Sequence, residues 1–525
     1  MHDVVIVGGG PTGLFLACEL ALAGVRPLVL ERRAEPDQSD KAHGLIGQSV
    51  RLLDQRGLYE RCGGSGAPRP APRFGYAGLP LPLDILGEAN PVYTLPINQR
   101  DLERVFAERA TELGVEVRRG WEVDSFTQNE TRVEVLVTAP DGTSATLTAQ
   151  YLVGCDGGGS RIRKGLNIEF PGVTDAVVDR SALIAPSDHL KFLPGGKVAV
   201  AGLGDIPVGM YRTEHGMFIL LPHNPERPHV FTTEWEPHPV GNYPGPGPEM
   251  TLTEMEDSIE RVLGVRVPLS PPPEGAPTQL RRLCNRNSRQ AARYREGRVF
   301  LAGDAAHTSH GPTLNAALND AANLGWKLAA AVHNRAPEGL LDTYETERHP
   351  AAAELLIHTR AETALTAPGA EITALRALFT ELLAHQPTVA TLAAGMAGSG
   401  TRYDMGQDDP SDLVGYFAPP LDLIDGDGNT RRLAEFLHES RPVLVDFTGD
   451  HTLAAFADSL SDAVRHVSVT AAHPVAPALL IRPDGYVAWA GSDTEGLQAA
   501  LTRWFGISAC LAAAGRQRDG AAAAR

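Results

Sequence analysis

The chain has 525 residues, which is more than one hydrophobic core usually organises, so we expect two or three domains. Its formal net charge of -17 and the lack of any block rich in Lys or Arg argue against a nucleic-acid partner, which needs a concentrated basic surface. No apolar run is long enough to span a membrane and no secretory signal is visible, so we expect a cytoplasmic protein without membrane contact. The five cysteines are scattered and lack a CxxC pair, which fits a reducing compartment and gives no metal site.

The chain opens with a β-α-β unit. Residues 3–8 are a β-branched run, a helix is predicted at 13–23, and a second apolar run follows at 27–30. A helix predicted at 100–113 precedes a glycine that suits its C-terminal cap, and a buried strand at 299–302 precedes a long helix. This alternation predicts an α/β fold.

The pattern of elements divides the chain into several units. The predicted division is a first α/β part at 1–170, an inserted α+β domain that is mostly β-sheet at 171–285, a second α/β part with linking helices at 286–400, and a small α/β domain at 411–525. Helices predicted at 338–365 and 371–395 lead to a stretch of small residues at 395–400, which is the clearest linker candidate.

The first motif that carries chemistry is Gly8-Gly9-Gly10-Pro11-Thr12-Gly13, a G-x-G-x-x-G pattern between a strand and a helix. Gly8 permits the tight turn, Gly10 lets the backbone approach a pyrophosphate, and Gly13 lets helix and strand pack closely. Glu31 ends the next strand, where a carboxylate can accept hydrogen bonds from a ribose. The alternative of a flexible glycine turn is much weaker in this context. We therefore predict a Rossmann-like dinucleotide-binding fold.

Two later motifs separate FAD from NAD. The DG motif is Gly154-Cys155-Asp156-Gly157-Gly158-Gly159-Ser160-Arg161, and the GD motif spans 297–307 and includes Gly303 and Asp304. With them the chain resembles the class A flavoprotein hydroxylases, the group of para-hydroxybenzoate hydroxylase. The resemblance implies that the DG motif helps to bind FAD and the reduced nicotinamide, and that Asp304 binds the ribityl chain of FAD. His307 and Asp156 have structural alternatives, and for His307 we favour the structural role.

The resemblance extends along the chain. Residues 341–345 and 347–348 match the stretch after the long helix, and Gln99 matches a glutamine beside the ribityl chain. Residues 482–489 resemble the thioredoxin-like C-terminal domain of the phenol-hydroxylase branch, which includes many aromatic polyketide hydroxylases. The equivalent turn at 447–451 has no cysteine, so dithiol chemistry is excluded and the domain is expected to be structural or to support a dimer.

The motifs and the resemblance together give a set of expected cofactor-binding residues: Gly8, Gly10, Pro11, Thr12, Gly13, Glu31, Arg32, Lys41, Gln99, Asp156, Gly157, Gly303, Asp304, Pro312, Leu314 and Asn315. Candidate residues for lining the substrate site under the inserted sheet are Tyr211, Phe218 and Trp235, each of which has an equal alternative as a core residue. No catalytic acid or base is assigned, because the cofactor carries the chemistry.

The implied activity is hydroxylation of a small aromatic molecule, of the polyketide natural-product type, by an FAD-dependent monooxygenase. The resemblance implies that NAD(P)H reduces FAD and that O₂ forms a flavin C4a-hydroperoxide, which transfers one oxygen to the ring. Alternatives are Baeyer–Villiger oxygen insertion, a non-oxygenating oxidation or dehydration, and an FAD-binding scaffold or sensor without turnover. The oligomeric state is left open, with a homodimer as one alternative.

Two departures from the family pattern qualify this expectation. The loop after the GD motif is about three residues shorter than in the family and lacks its paired glycines. A shorter loop predicts faster loss of the hydroperoxide as H₂O₂ unless substrate is bound. Lys41 and Gln48 stand where relatives carry arginine, so at Lys41 the charge is kept but bidentate geometry is lost.

Overall fold

The fold is known from a computed structural model, which describes residues 1–37, 42–221, 227–235, 249–274, 279–311, 313–408, 411–449, 453, 455–456, 460, 463–471 and 473–507. Lys41 and Pro312, two of the expected cofactor-binding residues, lie outside the described residues. Within the described part of the chain, no helix combines the length and apolar character that a membrane crossing requires.

The helices of the described residues, in chain order, are α1 (Pro11–Leu22), α2 (Gln48–Asp54), α3 (Gln99–Glu112), α4 (Arg161–Gly165), α5 (Leu252–Leu263), α6 (Thr313–Val332), α7 (Thr343–Thr366), α8 (Ala370–Leu382), α9 (Gln386–Ala397) and α10 (Thr494–Phe505). The helices predicted at 13–23 and 100–113, and the long helix predicted after the strand at 299–302, are confirmed as α1, α3 and α6. The single helix predicted at 371–395 is wrong. Pro387 lies in the first turn of α9, where a proline is tolerated, so a new helix begins there.

The strands of the described residues, in chain order, are β1 (His2–Val7), β2 (Pro27–Glu31), β3 (Leu45–Ile46), β4 (Phe74–Tyr76), β5 (Leu79–Leu81), β6 (Thr94–Leu95), β7 (Glu116–Arg119), β8 (Glu122–Gln128), β9 (Val133–Thr138), β10 (Ser144–Gly154), β11 (Gly172–Leu183), β12 (Leu190–Leu193), β13 (Lys197–Val200), β14 (Gly204–Pro207), β15 (Gly209–Arg212), β16 (Met217–Leu221), β17 (His229–Trp235), β18 (Leu280–Gln290), β19 (Arg295–Glu296), β20 (Val299–Leu301), β21 (His307–Thr308), β22 (Asp422–Ile424), β23 (Thr430–Arg432), β24 (Val443–Asp446), β25 (Arg465–Ser468), β26 (Ala478–Ile481) and β27 (Val487–Gly491).

The largest sheet has the order β19-β20-β10-β1-β2-β7, and β20, β10, β1, β2 and β7 run parallel to one another. Val4, Val5 and Ile6 of β1 are completely buried, as expected for a parallel strand covered on both faces. Helix α1 packs against α3 and α6 beside this sheet. The carboxyl ends of the parallel strands therefore meet at one edge, which is where α/β proteins bind ligands.

The inserted sheet has the order β15-β16-β17-β11-β18-β21. Its last strand, β21, lies within and just after the GD motif, so this sheet is hydrogen-bonded directly to the loop beside the dinucleotide edge. On one face, Phe218 and Val230 form a hydrophobic core with Met255 and Ile259 of α5. The opposite face of the sheet, which we call the front face, looks away from α5 toward the first domain.

The C-terminal domain is a mixed sheet of order β25-β24-β26-β27 with α10 beside β27. It is joined to the first domain by a buried ionic cluster. Arg482 donates to Glu347 from Nη1 at 2.7 Å and from Nη2 at 2.8 Å, and Lys327 Nζ donates to the same carboxylate at 2.7 Å. Burial opposes ionisation of Glu347, but Arg482 and Lys327 overcome it and hold its pKa well below its usual value. These charges are buried and paired across the boundary between the domains.

A second buried arginine makes a similar connection. Arg56 donates from Nε to Glu19 Oε1 at 2.6 Å and from Nη2 to Glu19 Oε2 at 2.7 Å. The same guanidinium donates to the main-chain oxygens of Leu437 at 3.1 Å and Pro483 at 2.6 Å. Planar guanidinium groups suit such multiple contacts. The C-terminal domain thus supplies acceptors that the first domain's buried arginine requires.

Candidate functional site

The expected cofactor motifs meet at one edge of the large sheet. The glycine turn follows β1, Glu31 ends β2, the DG motif follows β10, and Gly303 and Asp304 of the GD motif follow β20. These four strands are neighbours in the order β20-β10-β1-β2. Their carboxyl ends lie side by side because the strands are parallel. Sequence segments far apart in the chain therefore form one continuous surface.

Two glycines of the first motif are required by the fold itself. Gly8 has a φ of +112°, and a Cβ there would lie 2.3 Å from the main-chain oxygen of Cys155. A Cβ on Gly13 would lie 2.0 Å from the main-chain oxygen of Gly8. Neither backbone atom can move without disturbing the crossing of β1, α1 and β10. Only glycine fits at these two positions.

Gly10 is different, because nothing in the fold requires glycine there. Its φ of -79° and ψ of -175° suit any residue, and a Cβ would meet no atom within 4 Å. It precedes Pro11, the first residue of α1, whose free N–H groups and positive end attract a phosphate. The vacant space at Gly10 is therefore the space that a closely approaching pyrophosphate needs.

Glu31 orders the turn from the neighbouring strand. Its Oε2 accepts a hydrogen bond from the main-chain N–H of Gly9 at 2.7 Å, and its Oε1 accepts one from Arg33 at 2.9 Å. Each carboxylate oxygen keeps a further lone pair for a ribose hydroxyl. Glu31 borders a cavity of about 630 Å³ that runs from the glycine turn to the DG motif. Predicted cofactor-binding residues that line this cavity are Gly8, Gly10, Glu31, Arg32, Gln99, Asp156 and Gly157.

The DG motif is held by its own side chains. Asp156 accepts hydrogen bonds from Ser160 Oγ at 2.6 Å and from the main-chain N–H groups of Arg161 at 2.6 Å and Ile162 at 3.2 Å. Arg163 donates to the main-chain oxygens of Gly158 and Ala305, each at 2.8 Å, and so ties the DG motif to the GD motif. The Asp156 carboxylate thus shapes the cavity wall at the start of α4.

The GD motif lies directly against the first glycine turn. Gly303 has a φ of +61°, and a Cβ there would lie 2.6 Å from Thr12 Oγ1. The Asp304 side chain is exposed, whereas the residues on either side of it are buried. An exposed carboxylate on a rigid, buried turn is well placed to accept hydrogen bonds from a ligand hydroxyl.

Buried Asp320 on α6 fixes this turn and was not anticipated from the sequence. Its carboxylate accepts hydrogen bonds from the main-chain N–H of Gly303 at 3.1 Å and from Arg348 Nε at 2.7 Å, and its Oδ2 lies 2.6 Å from His307 Nε2. Burial raises the pKa of Asp320, but His307 and Arg348 outweigh burial and lower it to about 2. The completely buried His307 thus has the structural role that the sequence favours.

The start of α6 completes the edge. Asn315 Oδ1 accepts a hydrogen bond from the main-chain N–H of Ile46 at 2.8 Å and a second from Ser49 Oγ. Leu314 is partly buried against the main core. The first turn of α6 is therefore anchored to the segment around β3, with its positive end directed toward the loop that precedes it.

Gln99 and Gln48 each make a side-chain hydrogen bond near the site. Gln99 begins α3, and its Nε2 donates to Glu103 Oε1 at 2.8 Å at the margin of the cavity. Gln48, which stands where relatives carry arginine, is buried, and its Oε1 accepts a hydrogen bond from Tyr486 Oη at 3.2 Å. Gln48 therefore contacts the C-terminal domain.

The three candidate substrate residues lie on opposite faces of the inserted sheet. Phe218 is buried in the core against α5, and Tyr211, its partner across the strands, packs on the same core. Phe218 and Tyr211 are therefore core residues of the inserted domain, because they point away from the dinucleotide edge. Trp235 lies on the front face with Phe231, whose ring is 5.4 Å from that of His43 in the first domain. Of the three, Trp235 alone faces the space between the two domains.

Comparison with known protein families identifies the family of this chain. A family model for an FAD binding domain matches residues 1–359, and a model for the C-terminal part of an aromatic-ring hydroxylase matches 411–508. The first match alone spans more than half of the chain. This chain belongs to the FAD-dependent aromatic-ring hydroxylases.

Individual relatives are similar over nearly the whole chain. A 12-dehydrotetracycline 5-monooxygenase/anhydrotetracycline 6-monooxygenase of Streptomyces rimosus is 41% identical, with 96% of this chain and 99% of the relative covered. The solved anhydrotetracycline hydroxylase from Streptomyces rimosus has a TM-score of 0.83 and 37% identity, covering 97% of this chain and 100% of that one. A dialkyldecalin synthase of Streptomyces rugosporus is 36% identical, with 97% and 100% covered.

Membership of the aromatic-ring hydroxylases makes this chain an FAD-dependent monooxygenase with NAD(P)H as the reducing co-substrate. The residues present fit FAD. The vacant space at Gly10 admits a pyrophosphate, and Glu31 and the exposed Asp304 supply acceptors at two separate points of the edge. The predicted family, fold class and cofactor are therefore confirmed.

We expect Glu31→Ala to weaken FAD retention without unfolding the hydroxylase. The change removes a carboxylate that orders Gly9, and hydrogen bonds to charged groups are worth about 1.5–3 kcal/mol. FAD remaining after gel filtration, read from absorbance at the flavin band, measures the effect. Glu134→Ala, which removes an exposed carboxylate from β9 of the same sheet, is the control. Equal flavin content in both variants would show that another residue holds the ribose.

Proposed function

We propose that this hydroxylase inserts one oxygen atom of O₂ into a polycyclic aromatic substrate of the polyketide type. The observation that carries the proposal is the joining of the dinucleotide edge to the front face of the inserted sheet through β18 and β21. FAD, when bound, accepts hydride from NAD(P)H and activates O₂. The chain itself binds, orients and shields the reactants.

The residues proposed to hold FAD combine the geometry of the edge with the roles that the family resemblance implies. Glu31 receives the ribose of the adenosine half, the turn around Gly10 and the start of α1 receive the pyrophosphate, and Asp304 receives the ribityl hydroxyls. When bound, the flavin ring would meet the start of α6, whose positive end would stabilise negative charge there. The roles expected of Lys41 and Pro312 stay proposals.

The proposed substrate class is supported by the relatives. The Streptomyces rimosus proteins are named for tetracycline-type molecules, which are polycyclic and phenolic. Similarity to these proteins over nearly the whole chain supports a similar, large aromatic substrate here. A cytoplasmic location and a homodimer are further proposals, the second of which light scattering on the purified protein tests directly.

The decisive experiment is analysis of the product that the enzyme forms under ¹⁸O₂. Purified protein with about one FAD per chain should oxidise NAD(P)H faster when a polycyclic phenol is added, and the product should gain one ¹⁸O atom. Hydroxylation and Baeyer–Villiger insertion add the same mass, so the product's NMR spectrum distinguishes them. A colourless protein that cannot be reconstituted with FAD, or a product without ¹⁸O, would contradict the proposal.

A non-oxygenating reaction is the second candidate. One relative over the whole chain is named a dialkyldecalin synthase, a name that describes ring formation rather than oxygenation. The shortened loop after the GD motif favours the same alternative, because it alters the environment of the flavin's reactive edge. Conversion of substrate under anaerobic conditions, without consumption of NAD(P)H, would identify this activity.

We expect Thr359→Val to increase the H₂O₂ released per NAD(P)H consumed. Ser309 Oγ in the short loop donates to Thr359 Oγ1 on α7 at 2.6 Å, so the change frees the loop and admits water. Losing one hydrogen bond of about 1 kcal/mol makes the opened loop about fivefold more populated. Thr363→Val is the control, because the Thr363 hydroxyl contacts only the main chain of its own helix. Equal peroxide yields would show that the loop is held by other contacts.

A further inference from the structure

The front face of the inserted sheet carries an ion pair that the reaction does not use. Arg286 on β18 donates to Asp179 on β11 from Nε at 2.7 Å and from Nη2 at 2.5 Å. Nη2 also lies 2.9 Å from the hydroxyl of Thr233 on β17, which in turn donates to Asp179 at 2.7 Å. Three adjacent strands therefore hold this guanidinium in one orientation.

One amino group of the Arg286 guanidinium has no acceptor among the described residues. Within the described part of the chain, Arg286 Nη1 makes no hydrogen bond, although only 9% of the side chain is exposed. The Nη1 atom is also not one of the completely buried polar atoms that lack a partner. A guanidinium carries five N–H donors, and burying some without acceptors is costly. Nη1 therefore faces open space, where an acceptor atom of a ligand is needed to receive its hydrogen bond.

The register of the strands brings the loop after the GD motif to this group. Arg289 pairs with Thr308 in the antiparallel pair β18–β21, so moving two residues along each strand places His310 opposite 287, next to Arg286. His310 is exposed as a residue, but protein packed around its ring desolvates it, and this burial together with the charge of Arg286 lowers the pKa of His310 to about 4. It is therefore neutral at pH 7, with one N–H and one bare ring nitrogen that accepts a hydrogen bond.

An apolar surface adjoins these polar groups. The Arg286 guanidinium lies 6.0 Å from the ring of Trp235 on β17. Phe231, two residues earlier and therefore on the same face, completes an aromatic surface next to the donor and the acceptor. The opposite face of the sheet is closed by α5, so a ligand can reach only the front.

We propose that Arg286 and His310 recognise a keto–phenol edge of the aromatic substrate, in which a carbonyl oxygen lies beside a phenolic hydroxyl. Arg286 Nη1 donates to the carbonyl oxygen, and the bare nitrogen of His310 accepts from the hydroxyl. The ring system packs along Trp235 and Phe231. This inference rests on the proposed function and names the part of the substrate that sets its orientation. Asp179 and Thr233 are positioning residues, because they act only through Arg286.

Binding of two matched probes to the FAD-loaded protein tests this proposal without NAD(P)H. The probes are 1,8-dihydroxyanthraquinone, which carries the edge, and 1,8-dimethoxyanthraquinone, which lacks the phenolic protons. We expect the wild type to bind the dihydroxy compound about tenfold more tightly, as measured by quenching of tryptophan fluorescence. Arg286→Met should instead weaken the binding of both compounds about tenfold, because both keep the carbonyl oxygen to which Nη1 donates.

Two further variants keep the result interpretable. Arg282→Met removes a guanidinium from the same strand, but from the face that contacts Glu254 of α5, so the affinity for both probes should persist. His310→Phe changes an exposed residue and tests the proposal even if Arg286→Met does not fold; it should lower the preference between the probes to about one. A preference that survives in His310→Phe, unchanged affinities in a folded Arg286→Met, or a wild type that does not distinguish the probes would overturn the proposal. Loss of oxygenation alone would not, because binding is measured without turnover.

Discussion

Gly10→Ala should fold like the wild-type hydroxylase and yet lose its FAD. The backbone at this position suits alanine, and the added Cβ meets no protein atom within 4 Å. The methyl group instead occupies the space proposed for the pyrophosphate, and overpacking of a close contact costs about 1–3 kcal/mol. The dissociation constant for FAD should therefore rise about 5- to 150-fold. Titration of the apoprotein with FAD measures this constant, and thermal unfolding of the apoprotein measures stability.

Gly13→Ala is the matched comparison for this variant. It adds the same methyl group three residues later, but the Cβ would lie 2.0 Å from the main-chain oxygen of Gly8. The apoprotein itself should then be destabilised, so FAD loss and a lower melting temperature should appear together. If Gly10→Ala retained FAD with wild-type affinity, the pyrophosphate could not lie at this turn.

Asp320→Asn should have the largest effect on stability. The substitution leaves the buried guanidinium of Arg348 without its carboxylate and turns an amide N–H toward existing donors. Breaking a buried ion pair from one side costs about 3–5 kcal/mol. Because Asp320 also holds Gly303, FAD affinity should fall as well. Urea unfolding of the FAD-loaded protein and FAD titration measure the two effects.

The control for this variant is Asp257→Asn on α5. Asp257 lies 2.7 Å from Arg266, the same distance as between Asp320 and Arg348, but both partners are largely exposed. Exposed pairs are worth about 0–1 kcal/mol, so stability should barely change. Similar losses in the two variants would mean that burial of the Asp320 cluster contributes nothing.

The same cluster gives a dependence on pH with a defined sign. The folded-state pKa of Asp320, about 2, is below the ordinary value of 3.8 for an aspartate. The carboxylate therefore stabilises the fold fully above pH 4, and this contribution is lost as pH falls from about 4 toward 2. The gap in stability between wild type and Asp320→Asn should be constant near neutrality and narrow over this acidic range.

The cofactor edge was predictable from the sequence because its signals are local. Each motif combines glycines with a neighbouring strand, and parallel strands bring the motifs together without further information. The choice among Tyr211, Phe218 and Trp235 was not predictable. Residues 217–221 of β16 are apolar on both faces, so an alternating pattern cannot tell which face packs against α5. That distinction arises only when the helix packs.

The Asp320 cluster was missed for a different reason, although the sequence contained a signal. Asp320, Asn323 and Lys327 are spaced three and four residues apart, so they form a polar stripe along one side of a largely buried helix. Such a stripe on a buried helix requires partners. Arg348 and Glu347 on α7 are partners of Asp320 and Lys327, and they lie 28 and 20 residues later in the chain. Sequence spacing indicates the need, and only the fold identifies the partner.

The buried pairing of Glu347 with Arg482 has a consequence for synthesis of the chain. Glu347 leaves the ribosome long before Arg482, and Arg56 likewise emerges well ahead of the Pro483 oxygen that it contacts. Until the C-terminal sheet appears, these charged groups have to remain hydrated, so the face of α6 and α7 that they share cannot close. The cofactor motifs are therefore synthesised before the C-terminal domain, but the nascent chain reaches its final packing only near the end of translation.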